Sequence, residues 1–244
     1  MDWFKAGLKL VMKKAGILKK TTILVLVLVV PGFLYYLLTV GGKNRYKPLP
    51  VFGDKAIAKT THKVKGKDVP DTIYHTLPDF KLIDQNGRTV SLKTFDNKIF
   101  VVNFFYTGCP TVCGLMNRNM NVIDSFYTKN KKVYFVSITV NPKKDDVTAL
   151  KKYADGFKGL SPKRIFLTGD TATIYNLARN GFLVNAVQTS ASDFVYSDKL
   201  ILIDGEKRIR GYYTGAQTTE VDRLNDEIKV LISDELRKND TPLY

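Results

Sequence analysis

The stretch IFVVNFFYTGCPTVC, residues 99–113, decides how this sequence folds. Ile99 to Phe105 is an almost unbroken apolar run rich in β-branched and aromatic residues, the pattern of a strand buried on both faces. It gives way to Tyr106-Thr107-Gly108, and a helix is predicted from about Val112 to Tyr127. The chain's two cysteines, Cys109 and Cys113, therefore stand where a central strand hands over to a helix. Backbone N–H groups at a helix start stabilise a thiolate, and a three-residue gap keeps the two sulfurs near each other. Such a pair can close to a disulfide, attack one, or grip a soft metal such as Cu(I). An inert structural disulfide is the competing reading, but so short a loop constrains little of the unfolded chain.

Elements read outward from this junction in a regular order. Phe80–Ile83 and Arg88–Ser91 flank an Asn-Gly turn and predict a hairpin. Lys132–Val140 predicts a second strand, stopped by Asn141-Pro142. Asp145–Phe157 predicts an amphipathic helix, with Asp145 and Asp146 as charges at its N-terminus. Arg164–Leu167 predicts a short strand and Thr171–Asn180 a helix ending at Gly181; both look like an insertion. Lys199–Ile203 and Arg208–Tyr213 predict a second hairpin, with Arg208 and Arg210 facing solvent. Val221, Leu224, Ile228, Leu231 and Ile232 fall at helical spacing within Thr218–Leu236. This order fits an α/β thioredoxin-like sandwich, a mixed sheet flanked by helices, over residues 71–240.

The charge is unevenly placed. The net charge is +15 over 244 residues. Residues 1–67 carry 14 Lys/Arg against 2 Asp/Glu, so the C-terminal domain is close to neutral and a nucleic-acid-binding core is excluded. From Thr21 to Gly42 no residue is charged, which predicts a transmembrane anchor at 21–42. Its length and the GGKNRYK that follows favour an uncleaved anchor over a signal peptide. Residues 1–20 then form a basic cytoplasmic segment, either a solvated positive flank or an amphipathic helix on anionic lipid. Residues 43–70 are Lys-rich without a sustained period and read as a linker. The expected location is the inner (cytoplasmic) membrane, single-pass, with the domain on the periplasmic or equivalent oxidising side.

The motif Phe104-Phe105-Tyr106-Thr107-Gly108-Cys109-Pro110-Thr111-Val112-Cys113 resembles the copper-site motif of the Sco/SenC family. Val136–Pro142 with Asp145, Phe166-Leu167-Thr168-Gly169, Asp193–Ser197 with Leu200–Asp204, and Ile209–Gly215 resemble further family segments in order, over about residues 71–238. The resemblance implies a membrane-anchored thioredoxin-fold protein that helps assemble the copper centre of cytochrome c oxidase. It implies Cys109 and Cys113 as metal ligands for copper and as redox residues. The family's third ligand is a histidine just before the C-terminal hairpin, and the matching position here is Tyr196. A phenol is a hard oxygen donor that suits Cu(I) poorly. Met116 and Met120 lie one helical face beyond Cys113 and read first as core residues, with ligation as the rarer alternative. His75 precedes the first hairpin and His62 lies in the linker; both read as satisfied or solvated side chains. Asp193 and Asp198 flank Tyr196 as loop acids.

Two functions compete. One is copper handling, with the copper-bearing subunit of cytochrome c oxidase as partner. The other is thiol-disulfide exchange by a membrane-anchored oxidoreductase acting on that subunit or another periplasmic thiol protein; the Tyr196 substitution shifts weight to it. A peroxidase of the peroxiredoxin type is disfavoured, because Pro110 stands three before Cys113 and Tyr106 seven before it, where that chemistry needs a Pro-x-x-x-Thr/Ser-x-x-Cys motif. A redox-silent anchored domain is the remaining alternative.

Overall fold

The computed structural model describes residues 19–20, 22, 24–37, 48–64, 66–109, 112–188 and 194–240. It divides into two compact units, residues 1–47 and 48–244. In the first, residues 24–37 are helical (α1), and the large apolar side chains from Leu24 to Leu37 are exposed. That is about 21 Å of helix. Among the described residues no helix is long and apolar enough to cross a membrane. The ends of the expected 21–42 span, and the basic segment before residue 19, lie outside the described residues.

The second unit is built on a seven-stranded sheet. Its strands are β3 (Lys81–Asp84), β4 (Thr89–Ser91), β5 (Ile99–Phe105), β6 (Val133–Thr139), β7 (Arg164–Thr168), β10 (Lys199–Ile203) and β11 (Ile209–Thr214), in the order β11-β10-β5-β6-β7-β3-β4. β5, β6 and β7 run parallel and both outer pairs antiparallel. Every residue of β5 is buried, as its continuous apolar run requires. β7 is a correction to the sequence reading. It is no insertion but an inner strand between β6 and β3, and its five residues, all buried, are simply too few to announce that.

Strand alternation divides the interior between the two faces. Phe100, Val102 and Phe104 face a core closed by Ile174 of α4 (Thr171–Asn176) and by Leu177 and Phe182 beyond it. Ile99 and Val101 face the opposite core, closed by Met120 and Ile123 of α2 (Val112–Phe126) and by Val221, Leu224, Ile228 and Leu231 of α5 (Thr218–Asp240). A third, smaller core gathers Phe105, Cys113 and Phe166 with Leu150 and Ala154 of α3 (Val147–Asp155). The helices thus flank a mixed sheet in a thioredoxin-like α/β arrangement.

The described part of the segment read as a linker, residues 48–64 and 66–70, includes a strand pair. β1 (Lys55–Val64) and β2 (Lys67–Tyr74) pair antiparallel around Gly66, whose φ of +80° a glycine adopts without strain. Nearly all of this hairpin is exposed, so no alternation of apolar and polar residues marks it in the sequence. Backbone bonds from Phe52 N to Ile209 O (2.9 Å) and from Leu77 N to Lys207 O (3.0 Å) hold its root. A further pair, β8 (Ala186–Gln188) and β9 (Phe194–Tyr196), sets Tyr196 opposite Ala186.

Arg208 and Arg210 also depart from expectation. Both turn inward onto the buried carboxylate of Asp204, at 3.0 and 2.8 Å, and Arg210 donates to the carbonyl oxygens of Pro50 (3.0 Å) and Leu49 (2.5 Å). The turn Asp204-Gly205-Glu206-Lys207 folds its own acid under the hairpin, and that buried anion draws the arginines in.

Candidate functional site

Cys109 and Cys113 are joined as a disulfide, with Cα atoms 5.9 Å apart. They occupy the turn between the C-terminal end of β5 and the first residues of α2, as the sequence predicts; Pro110 and Thr111 between them lie outside the described residues. The Cys113 N–H donates to Cys109 Sγ at 3.3 Å, so the start of α2 points a donor at that sulfur. The two sulfurs differ in access. Cys113 is 1% exposed and sits inside the third core, whereas Cys109 is half-buried at its rim. An incoming sulfur therefore meets Cys109 first, an order the sequence does not reveal.

Tyr196 joins the pair from β9. Its hydroxyl lies 2.9 Å from Cys109 Sγ and 3.0 Å from Cys113 Sγ, across more than eighty residues of chain. Its ring meets Tyr106 edge to face, with centroids 5.8 Å apart. Burial raises the Tyr196 pKa above its ordinary value of 10, with smaller pushes from Tyr106 and Asp198. The phenol therefore keeps its proton at neutral pH and acts as a hydrogen-bond donor to sulfur. Asp193 lies outside the described residues, and Asp198 pairs with Lys199 at 3.2 Å.

A buried acid holds the cysteine turn and a buried arginine braces α2 behind it; the sequence assigns the acid to the α3 N-terminus and gives the arginine no role. Asp145 is 1% exposed and accepts from Thr107 N (3.0 Å), Thr107 Oγ1 (2.5 Å) and Thr139 Oγ1 (2.5 Å). It ties the turn after β5 to the end of β6. The α3 N-cap is Asp146, whose carboxylate accepts from Ala149 N at 2.8 Å. The adjacent Asp-Asp pair thus divides into one cap and one buried clamp. Beneath α2, Arg164 is fully buried and donates to Asn117 Oδ1 and Ser137 Oγ, both at 2.8 Å, and to Asn121 Oδ1 at 2.8 Å. Its guanidinium also lies 4.2 Å from the centroid of the Phe166 ring. Asn117 in turn donates to the Tyr153 hydroxyl at 2.9 Å. Burial lowers the Arg164 pKa to about 9, partly offset by Asp124 and Tyr153.

The remaining candidates take structural roles. Met116 and Met120 are both fully buried; a side chain on Gly215 would come 2.8 Å from Met116 Cγ, which shows how closely α2 packs there. Both methionines are core residues. His75 bonds the Gly181 carbonyl oxygen at 2.8 Å, and His62 pairs with Asp71 at 2.6 Å in the β1–β2 hairpin. Among the described residues no cluster of three or more His, Cys, Asp or Glu side chains could hold a metal ion. The donor set at the pair is two sulfurs and one phenol, which falls short of a three-donor site for Cu(I).

Comparison with known proteins places this geometry. The family model described as SCO1/SenC matches residues 70–233. The SCO1 protein homolog of Bacillus subtilis is 23% identical over 167 residues, covering 67% of this chain and 86% of that protein. A SCO2-like protein of Rickettsia conorii is 31% identical over 156 residues, covering 64% of this chain and 67% of that protein. Among solved structures, a SCO1/SenC family lipoprotein from Bacillus anthracis superposes with a TM-score of 0.61 at 25% identity, over 65% of this chain and 95% of that one. ScoI of Arabidopsis thaliana, solved with copper bound, gives 0.54 at 25% identity, over 67% and 99%. The chain belongs to the SCO1/SenC family, whose Sco members are cytochrome c oxidase assembly proteins, and it carries their fold with its cysteine pair at disulfide distance.

Proposed function

We propose that this protein serves oxidase assembly as a thiol-disulfide exchange factor, held at the inner membrane by residues 21–42 with its domain on the oxidising side. The observation that carries the reading is Tyr196. Its hydroxyl is aimed at both sulfurs, at 2.9 and 3.0 Å, where the family resemblance calls for a histidine ligand. A protonated phenol contributes little to Cu(I) affinity but donates well to a leaving or attacking sulfur.

In the working direction the reduced pair gives two electrons to a partner's disulfide. The accessible Cys109 thiolate attacks one partner sulfur; the partner's S–S bond breaks and its other sulfur leaves as a thiolate. Cys113 then attacks Cys109 Sγ, the mixed disulfide breaks, and the second partner sulfur leaves. The partner is reduced, and Cys109–Cys113 is oxidised to the disulfide seen here. Tyr196 donates to whichever of the pair's sulfurs carries charge, and Asp145 holds the turn that presents them. A separate dithiol donor must restore the reduced pair.

Copper transfer is the second reading, favoured by the copper-bound structure of a 25% identical relative. Anaerobic Cu(I) titration of the reduced chain beside Tyr196→His separates the two. Weak binding by the unmodified chain, with strong binding by Tyr196→His, supports exchange. Tight binding by the unmodified chain, lost with either cysteine, refutes the exchange-only reading. In parallel, Cys113→Ser should trap a mixed disulfide through Cys109 while Cys109→Ser traps none. Retention of the full-length chain in the membrane pellet after alkaline carbonate tests the anchor; its release to the supernatant refutes it.

A further inference from the structure

Two clefts each include a residue of the site. One cleft, of about 450 Å³, is lined by Thr107 of the cysteine turn and by Ala149, Lys152, Tyr153, Gly156 and Phe157 on and just after α3. The other, of about 380 Å³, is lined by Tyr196 with Leu183, Val184, Lys199 and Tyr212. Cys109, Tyr153, Phe157 and Tyr196 are all half-buried side chains on the rim of the one core that contains Cys113. Leu183 stands out in the second cleft. It is 42% exposed, although apolar, and holds φ at +57°, a conformation costly for a branched aliphatic residue.

We propose that the two clefts recognise the client of the exchange reaction, an extended polypeptide segment with an apolar side chain within two residues of its disulfide-bonded cysteine. The inference rests on the exchange reading and names its substrate class. A mixed disulfide sets the client sulfur about 2 Å from Cys109 Sγ. One or two residues of extended chain then reach about 3.5–7 Å further; Thr107, two residues before Cys109, and Tyr196, whose hydroxyl lies 2.9 Å from Cys109 Sγ, open into the clefts. The α3 cleft is walled by the rings of Tyr153 and Phe157 and the methyl of Ala149, so it takes an apolar side chain. Among the described residues its one charged lining residue is Lys152, which disfavours a basic one. In the other cleft, Leu183 presents an exposed apolar side chain.

The test uses the full-length chain, reduced and freed of reductant, mixed with symmetric disulfides of short peptides X-Cys-X, where X is Leu, Ala or Lys. Hydroxyethyl disulfide is the small reference oxidant that needs no cleft. Second-order rates are normalised to the reference. The Leu peptide should outpace the Ala peptide by about 10-fold, equivalent to about 1.4 kcal/mol, and Lys should be no faster than Ala. Ala149→Trp, which fills the α3 cleft, should bring the Leu:Ala ratio towards one. Leu183→Asn should lower it too; asparagine tolerates the positive φ, so this variant decides the matter if Ala149→Trp fails to fold. Equal normalised rates for Leu and Ala, or a ratio untouched by the folded variants, overturn the inference and leave the exchange reading standing. No reaction even with hydroxyethyl disulfide overturns both.

Discussion

Replacing Tyr196 by Phe removes one oxygen from the centre of the site and little else. The ring that packs edge to face on Tyr106, at 5.8 Å, remains. The hydroxyl lost lies 2.9 and 3.0 Å from the two sulfurs. A hydrogen bond to an ionised group is worth roughly 1.5–3 kcal/mol, and at a half-buried site the lower figure applies. The thiolate depends on that bond more than the neutral disulfide does, so the reduced state loses more. About 1.4 kcal/mol corresponds to a factor of 10, or about 30 mV for a two-electron couple. The expected result is a midpoint potential about 30 mV more negative. Reduction of the disulfide by dithiothreitol should slow about 10-fold, because the departing Cys113 sulfur loses its donor. Equilibration against graded dithiothreitol redox buffers and stopped-flow reduction at neutral pH measure both. Stability in urea should change by less than about 1 kcal/mol, since the packing is kept. A potential and a reduction rate both unchanged within twofold would show that the phenol plays no part in sulfur chemistry.

Other expectations follow from the same structure. Asp145→Ala strands three donors, Thr107 N, Thr107 Oγ1 and Thr139 Oγ1, around a buried void; it should cost roughly 3 kcal/mol in urea unfolding and slow exchange by loosening the turn, while Asp146→Ala, which removes only the α3 cap, should cost about 1 kcal/mol. Burial raises Tyr127 and Tyr212 to about 12. Their protonated forms are favoured in the folded state, so stability is full below pH 10 and falls as pH rises from 10 to 12; Tyr127→Phe should flatten that decline in thermal melts. Arg164→Lys should not rescue Arg164→Ala, because one ammonium cannot reach Asn117, Ser137 and Asn121 in the planar fork that the guanidinium presents; comparable melting temperatures for the Lys variant and the unmodified chain would refute this.

The strand-turn-helix that carries the cysteines was legible because its signals are local. β5 is apolar throughout because both its faces are covered, and α5 shows its buried stripe at helical spacing. The β1–β2 hairpin was illegible for the converse reason: an exposed ribbon buries nothing, so its residues need not alternate. Arg208 and Arg210 misled because charge at a hairpin normally faces water, and only the inward fold of Asp204 reverses that.

The sequence by itself determined the frame: a buried strand, a turn with two cysteines separated by three residues, and a helix; the family resemblance added that Tyr196 stands where a histidine is expected. What it could not hold are the relations between residues far apart along the chain. That Tyr196 meets both sulfurs, that Asp145 rather than its neighbour clamps the cysteine turn, and that Cys109 is reachable while Cys113 is buried were decided by the tertiary structure alone. Burial and hydrogen-bond partnership depend on which surfaces pack together, and packing is a property of the assembled sheet and its helices, not of any single segment.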